Sequence, residues 1–231
     1  MLEKVETEEL LVQLFVDSYC RAATAGTGVK VFTELKTGWG RPDVTVVKYD
    51  TDRISRRIDG LFPRSPRMGL SEVGGLAMSF LAQVGESELV VLGEELGLGP
   101  ARIQRACKEL ESRNLISRVN SIIRPNPIQD TFVVQRVEVF EAKLTNWRVA
   151  IKQAQRHLWF AGQGSIVLPL LSDATWQMVA SQCSRAGIGL ISHRVDGTFE
   201  EAVRPSELPL SNSPMLWRIN ENVVDEVLSV G

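Results

Sequence analysis

The sequence predicts an α/β protein with a central mixed sheet and a separate helical domain inserted into it. Two observations carry this expectation. Residues 72–124 have a helical pattern of their own, unlike the chain on either side. With residues 50–130 set aside, the flanking segments read helix, strand, strand, strand, helix, strand, helix, strand, an order that places helices around one sheet. The expected organisation is a discontinuous domain of residues 1–50 and 131–231, with a domain of residues 71–125 inserted in one of its loops.

The first element is an amphipathic helix over residues 5–24, where Val5, Leu10, Leu11, Leu14 and Phe15 recur at helical spacing. Gly26 and Gly28 end it. Val29 to Thr37 alternates as a strand, Gly38-Trp39-Gly40 makes a turn, and Val44 to Tyr49 is a second strand rich in Val and Thr. Residues 50–70 show little periodicity and read as a linker. Three helices fit residues 72–83, 87–96 and 100–113, the last opening on Pro100, which suits a first helical turn. Ile116–Val119 and Ile122–Arg124 are short strands. Thr131 to Lys143 is a long strand, and Asn146 to Ala161 a helix with Trp147, Ala150, Ile151, Ala154, Leu158 and Ala161 on one stripe. Strands follow at Ile166–Leu171 and Ile188–Arg194, around a helix at 173–186. Asp196-Gly197 reads as a hairpin turn. The segment 205–214 reads as a loop, and 219–229 as a terminal helix.

Composition narrows the chemistry. No apolar run reaches the roughly 20 residues of a membrane helix. The acidic start MLEKVETEELL lacks the basic-then-apolar order of a signal peptide, so a cytoplasmic location is expected. Cys20, Cys107 and Cys183 are odd in number and widely spaced, which argues against a disulfide framework or a cysteine zinc site. His157 and His193 are the only histidines, so a bound metal would be held mainly by oxygen, favouring Mg2+ or Mn2+. Net charge is −2, so DNA binding has to rest on local clusters. One such cluster is Arg53, Arg56, Arg57, Arg64 and Arg67. A second is Arg102, Arg105, Lys108, Arg113, Arg118 and Arg124, interrupted by Glu109 and Glu111.

The sharpest signal is Arg41-Pro42-Asp43 together with Glu141-Ala142-Lys143. Glu141 and Lys143 stand two apart on a strand and so share a face, while Phe140 and Ala142 point to the other. Charges at the end of an apolar strand are costly unless they pair or bind a metal. Asp43 begins the preceding core strand. If the two strands are neighbours, Asp43 and Glu141 repel, and a divalent cation relieves the repulsion. The bland reading is a surface ion pair and a turn aspartate.

Pro42-Asp43 with Glu141-Ala142-Lys143 resembles the PD-(D/E)xK, or restriction-endonuclease-like, superfamily. The likeness extends through the helix carrying Gln153-Ala154-Gln155-Arg156 and the strand Ser165-Ile-Val-Leu-Pro169. It covers about residues 5–50 and 131–195. It implies a metal-dependent DNA endonuclease with Asp43, Glu141, Lys143 and Gln153 as catalytic residues. The metal would be held by Asp43, Glu141 and the Ala142 carbonyl, joined by a glutamate of the first helix. Glu9 and Glu8 are both candidates for that glutamate, and Glu34 on the first strand is a third candidate for the position.

The middle domain resembles a winged helix-turn-helix. Its second helix sets Arg102, Gln104, Arg105 and Lys108 outside the apolar stripe, where they could meet a DNA groove. Arg118, Asn120 and Arg124 on the wing could touch the backbone. DNA is the expected partner. A homodimer and a larger defence or repair complex are further expectations. The competing readings are a non-catalytic DNA-binding regulator and a complex subunit that retains the nuclease fold.

Three smaller signals complete the reading. Trp39 is expected to pack on the core, with stacking on a base as the alternative. Trp147 and Trp159 are expected to serve packing. His157, one turn after Gln153, is expected at the surface or in a cap, with contact to a phosphate as the alternative.

Overall fold

The computed structural model describes residues 5–22, 28–59 and 69–230. Arg64 and Arg67 of the first basic stretch lie outside them, as do the residues around Gly26. In chain order the elements are α1 (Glu8–Ala22), β1 (Gly28–Thr33), β2 (Val44–Tyr49), α2 (Thr51–Asp59), α3 (Glu72–Val84), β3 (Ser87–Glu88), α4 (Leu89–Glu95), α5 (Pro100–Ser112), β4 (Ile116–Val119), β5 (Ile122–Pro125), α6 (Ile128–Thr131), β6 (Val134–Ala142), α7 (Trp147–His157), β7 (Gln163–Pro169), α8 (Asp173–Ala186), β8 (Gly189–His193), β9 (Phe199–Val203) and α9 (Pro214–Val230). Among the described residues, no helix is long and apolar enough to cross a membrane.

The chain divides into two compact units. The first comprises Met1–Lys48 and Arg136–Leu210, and the second Tyr49–Gln135 and Ser211–Gly231. Both are therefore discontinuous in sequence.

The first unit is a mixed α/β structure, as expected. Its sheet has the order β1-β2-β6-β7-β8-β9. β6, β7 and β8 run parallel, and β9 returns antiparallel to β8. Helices cover both faces. Leu11 and Phe15 of α1 pack with Val44, Val46, Phe140, Ala142 and Val167 on one face. Trp147, Ala150, Ile151 and Ala154 of α7, with Val179 and Cys183 of α8, pack on Ile166, Leu168 and Leu190 on the other. The alternation of Ile166, Val167 and Leu168 between these two cores is the period-2 pattern of a strand buried on both sides. α1 begins where the Thr7 hydroxyl accepts the Leu10 N–H at 3.1 Å, satisfying one of the unpaired donors of its first turn.

β2 and β6 are neighbours in opposite directions. The Asp43 carboxylate meets the Ala142 N–H at one end, and Asp50 N donates to the Val133 carbonyl at the other. This pairing brings together two segments that lie far apart in sequence.

The second unit has the order helix, strand, helix, helix, strand, strand from α3 to β5, and its three strands form an antiparallel sheet β3-β5-β4. Leu81, Leu92, Ile103, Cys107, Leu110, Leu115 and Ile123 are buried together with Trp217 of α9. α5 opens on Pro100, as expected, and Asn114 just beyond it takes a left-handed φ of 54°. Asn120, at the β4–β5 turn, does the same, a conformation asparagine tolerates better than most residues.

Several boundaries differ from the sequence expectation. Residues 51–59 are helix α2 and not linker: Asp50 Oδ1 accepts the N–H groups of Asp52 and Arg53 and starts it. β1 stops at Thr33. β9 adds a strand after the expected Asp196-Gly197 turn. Residues 211–231, expected with the sheet, belong to the second unit because α9 packs along α3. Gly75 permits that approach, since a Cβ there would lie 2.6 Å from the Pro214 carbonyl.

α9 is also held by buried charge. Glu221, 1% exposed, accepts Arg57 at 2.5 Å and Arg113 at 3.2 Å. Arg113 also meets Asp225 at 3.1 Å. Arg57 and Arg113, expected in basic surface clusters, are thus spent inside the unit. Removing one member strands the others in a poorly solvated place. Glu221→Ala is therefore expected to destabilise the second unit by about 3–5 kcal/mol in urea unfolding. A change under about 1 kcal/mol would contradict this account of α9.

Candidate active site

The first unit gathers Glu8, Asp43, Glu141, Lys143 and His157 at the end of β6 where Ala142 stands. Strand alternation turns Phe140 and Ala142 toward α1 and leaves Glu141 on the α7 side. Asp43, one residue before β2, accepts the Ala142 N–H at 2.8 Å. Lys143 Nζ lies 2.8 Å from Glu8 Oε2 and 3.9 Å from Asp43 Oδ2, and it donates to the Ala142 carbonyl at 3.0 Å. Asp43 and Lys143 thus meet at this strand end, Glu141 feels the charge of both, and the surface ion-pair reading fails for Glu141, which is only 1% exposed.

Glu141 has an unusual environment. Neither of its carboxylate oxygens has a hydrogen-bond partner. His157 Nε2 lies 3.2 Å from Oε1, at ion-pair distance but without hydrogen-bond alignment. Burial pushes the Glu141 pKa above the ordinary carboxyl value; the neighbouring His157 opposes this and the charge of Asp43 adds to it. Asp43 is raised as well, chiefly by burial, against the pull of the Ala142 N–H and the Lys143 charge. Burial would lower Lys143, but Glu8 and Asp43 outweigh it and leave the ammonium more firmly protonated than usual.

The three glutamates differ in what they meet. Glu8 lies on the α1 face that also carries Leu11 and Phe15, and it reaches Lys143. Glu9, expected as a metal ligand, is turned about 100° around the helix and is exposed. Glu34 is exposed with a left-handed φ of 49° and approaches only Arg41, at 3.9 Å. Gln153 has a buried, unpaired Oε1 one helical turn before His157, yet no hydrogen bond joins it to Asp43 or Glu141.

His157 was not expected here. It is 3% exposed, its Nδ1 is buried without a partner, and Gly40 backs it. The available signal was its position: it follows Ala150 and Ala154 at helical spacing and falls on the buried stripe.

Metal ligation can be tested against these donors. Among the described residues no group of three His, Cys, Asp or Glu side chains forms a ligand set. Two carboxylates and a carbonyl with a spare lone pair remain. That set suits Mg2+ or Mn2+, because magnesium is commonly held by one or two carboxylates, with water and substrate phosphate completing its shell. The unpaired oxygens of Glu141 are what such an ion would satisfy.

In the second unit Arg102, Gln104, Arg105 and Lys108 all stand exposed on α5, as expected. Glu109, expected to dilute their charge, instead holds the Ser71 N–H at 2.8 Å. Arg118 is exposed, whereas Arg124 is engaged by Glu86 at 2.6 Å. Comparison with known proteins finds no matching family model and no matching curated protein.

The raised carboxyls predict a pH effect. The folded protein retains protons that the unfolded chain has already released, over a window extending upward from the ordinary carboxyl value. Stability of the metal-free protein should therefore fall as pH rises through that window. Glu141→Gln removes one titrating group and should flatten the fall in urea midpoint between about pH 5 and about pH 7.5. An unchanged slope would contradict a raised Glu141.

Proposed function

We propose that this chain is a divalent-metal-dependent DNA endonuclease of the PD-(D/E)xK type, with a winged helix in its second unit. The observation that carries the reading is the buried Glu141 carboxylate, without a hydrogen-bond partner and within the field of Asp43 and Lys143 at one strand end.

Asp43, Glu141 and the Ala142 carbonyl are the residues that would hold Mg2+ or Mn2+. When bound, the ion supplies Lewis acidity to a phosphoryl oxygen and lowers the pKa of attached water. The chain's own groups do the rest. Lys143 presents an ammonium to the negative charge that grows on the phosphodiester, and Glu8 fixes its position. His157 limits the rotation of Glu141 from the α7 side. Burial keeps competing water from the inner carboxylate.

The order of elements from α3 to β5, with its three-stranded sheet, supports the winged-helix reading of the second unit. α5 would be the helix that meets DNA. Its exposed Arg102, Arg105 and Lys108 favour phosphate contacts and Gln104 a base edge. A second reading is a DNA-binding subunit that keeps the fold without catalysis. The lack of a hydrogen bond between the buried Gln153 Oε1 and the site favours it.

Supercoiled plasmid with Mg2+ or Mn2+ decides between them. The wild-type protein should nick or linearise it, EDTA should stop the reaction, and Glu141→Gln or Lys143→Ala should lower the rate by at least about 100-fold. Plasmid left intact with either metal would overturn the endonuclease reading. Separately, Arg102→Ala with Arg105→Ala should weaken DNA binding and reduce its logarithmic salt slope by about one per lost phosphate contact. An unchanged slope would remove α5 from the interface.

A further inference from the structure

We propose that the turn at residues 36–41 is a stacking platform for an unpaired DNA base, so that the site takes single-stranded or locally unpaired DNA over intact duplex. This rests on the nuclease reading above and extends it to the form of the substrate.

Trp39 does not pack on the core as expected; it is 65% exposed. Its turn is closed by a bridge between Thr37 and Gly40. Thr37 N–H and its hydroxyl both donate to the Gly40 carbonyl, at 3.0 and 2.8 Å, and Trp39 N–H donates to the Thr37 hydroxyl at 3.2 Å. An exposed indole on so tightly bonded a turn loses little freedom when a planar ligand covers it.

The turn is also joined to the site. Gly40 has a φ of 124°, and a Cβ placed on it would lie 3.7 Å from His157 Cε1. His157 in turn faces Glu141, and Asp43 follows Gly40 by three residues. The segment that presents the indole therefore also delivers the candidate metal ligand.

Charge favours nucleic acid as the occupant. Lys36 and Arg41 stand exposed on either side of Trp39. Arg41 meets Glu34 only at 3.9 Å with both side chains well exposed, so its charge is loosely held. An exposed aromatic with exposed cations close to it in the chain offers a face on which a base stacks and charges for its phosphates. An intact duplex hides its base faces, so the indole gains only from a base out of the stack.

Two oligonucleotides of about 12 nucleotides, single-stranded and duplex, test this with the full chain in calcium, which limits turnover. Of the five tryptophans Trp147 and Trp217 are buried and Trp159 and Trp176 half-buried, so the share of single-strand quenching that belongs to the exposed Trp39 is the part that disappears in Trp39→Phe, and the proposal predicts that this is the larger part. Trp39→Ala should weaken single-strand binding about tenfold and duplex binding less than about twofold, while Trp39→Phe should retain single-strand affinity. Only the main-chain N–H of Trp39 serves the turn, so these variants leave it closed. Equal loss on both substrates, or loss on neither, would overturn the proposal. If the wild type still cuts plasmid in that case, only this inference falls; if it neither binds nor cuts, the nuclease reading falls with it.

Discussion

A carboxylate buried without a hydrogen-bond partner is the constraint around which the first unit is arranged. Glu141 sits on a strand covered on both faces, where water cannot reach its oxygens. An isolated charge in such a place is disfavoured strongly enough to shift its pKa or to require a counterion. The surroundings supply partial answers. The Lys143 ammonium lies two residues on, the His157 imidazole faces one oxygen, and Glu8 and Asp43 hold the lysine in place. None of these completes the coordination of Glu141. A divalent ion shared with Asp43 would do so, and this is why we read the arrangement as functional and not as a packing accident.

The sheet makes that arrangement possible. Antiparallel pairing of β2 and β6 places Asp43 against Ala142 although the chain builds most of a second unit between them. The return strand then feeds α7, which brings His157 back over the same strand end. The second unit, built from the intervening chain and α9, has its own apolar core and its own buried ion network.

Much of this was legible in the sequence, because periodicity reports burial. β6, α7, α5 and the β4–β5 hairpin announce themselves through apolar spacing, and Asp43, Glu141 and Lys143 through charges set on an apolar background. The rest was hidden for physical reasons. α2 escaped because its buried face includes Arg57, and a buried arginine looks like a surface one until its partner Glu221 is known. α9 was given to the wrong unit because an apolar stripe states that a helix is buried without stating against what. Glu8 could not be told from Glu9 until the direction of α1 over the sheet was fixed. His157 was passed over because it sits at the end of its helix, where a polar side chain usually faces water, and Trp39 was assigned to the core because most tryptophans are largely buried.

The central claim is that Asp43 and Glu141 share one divalent ion. Crystals soaked in Mn2+ test it most directly, through anomalous scattering. The account predicts one strong peak at about 2.0–2.3 Å from an oxygen of each carboxylate. Crystals saturated with Mn2+ that show both side chains ordered and no peak between them would contradict it.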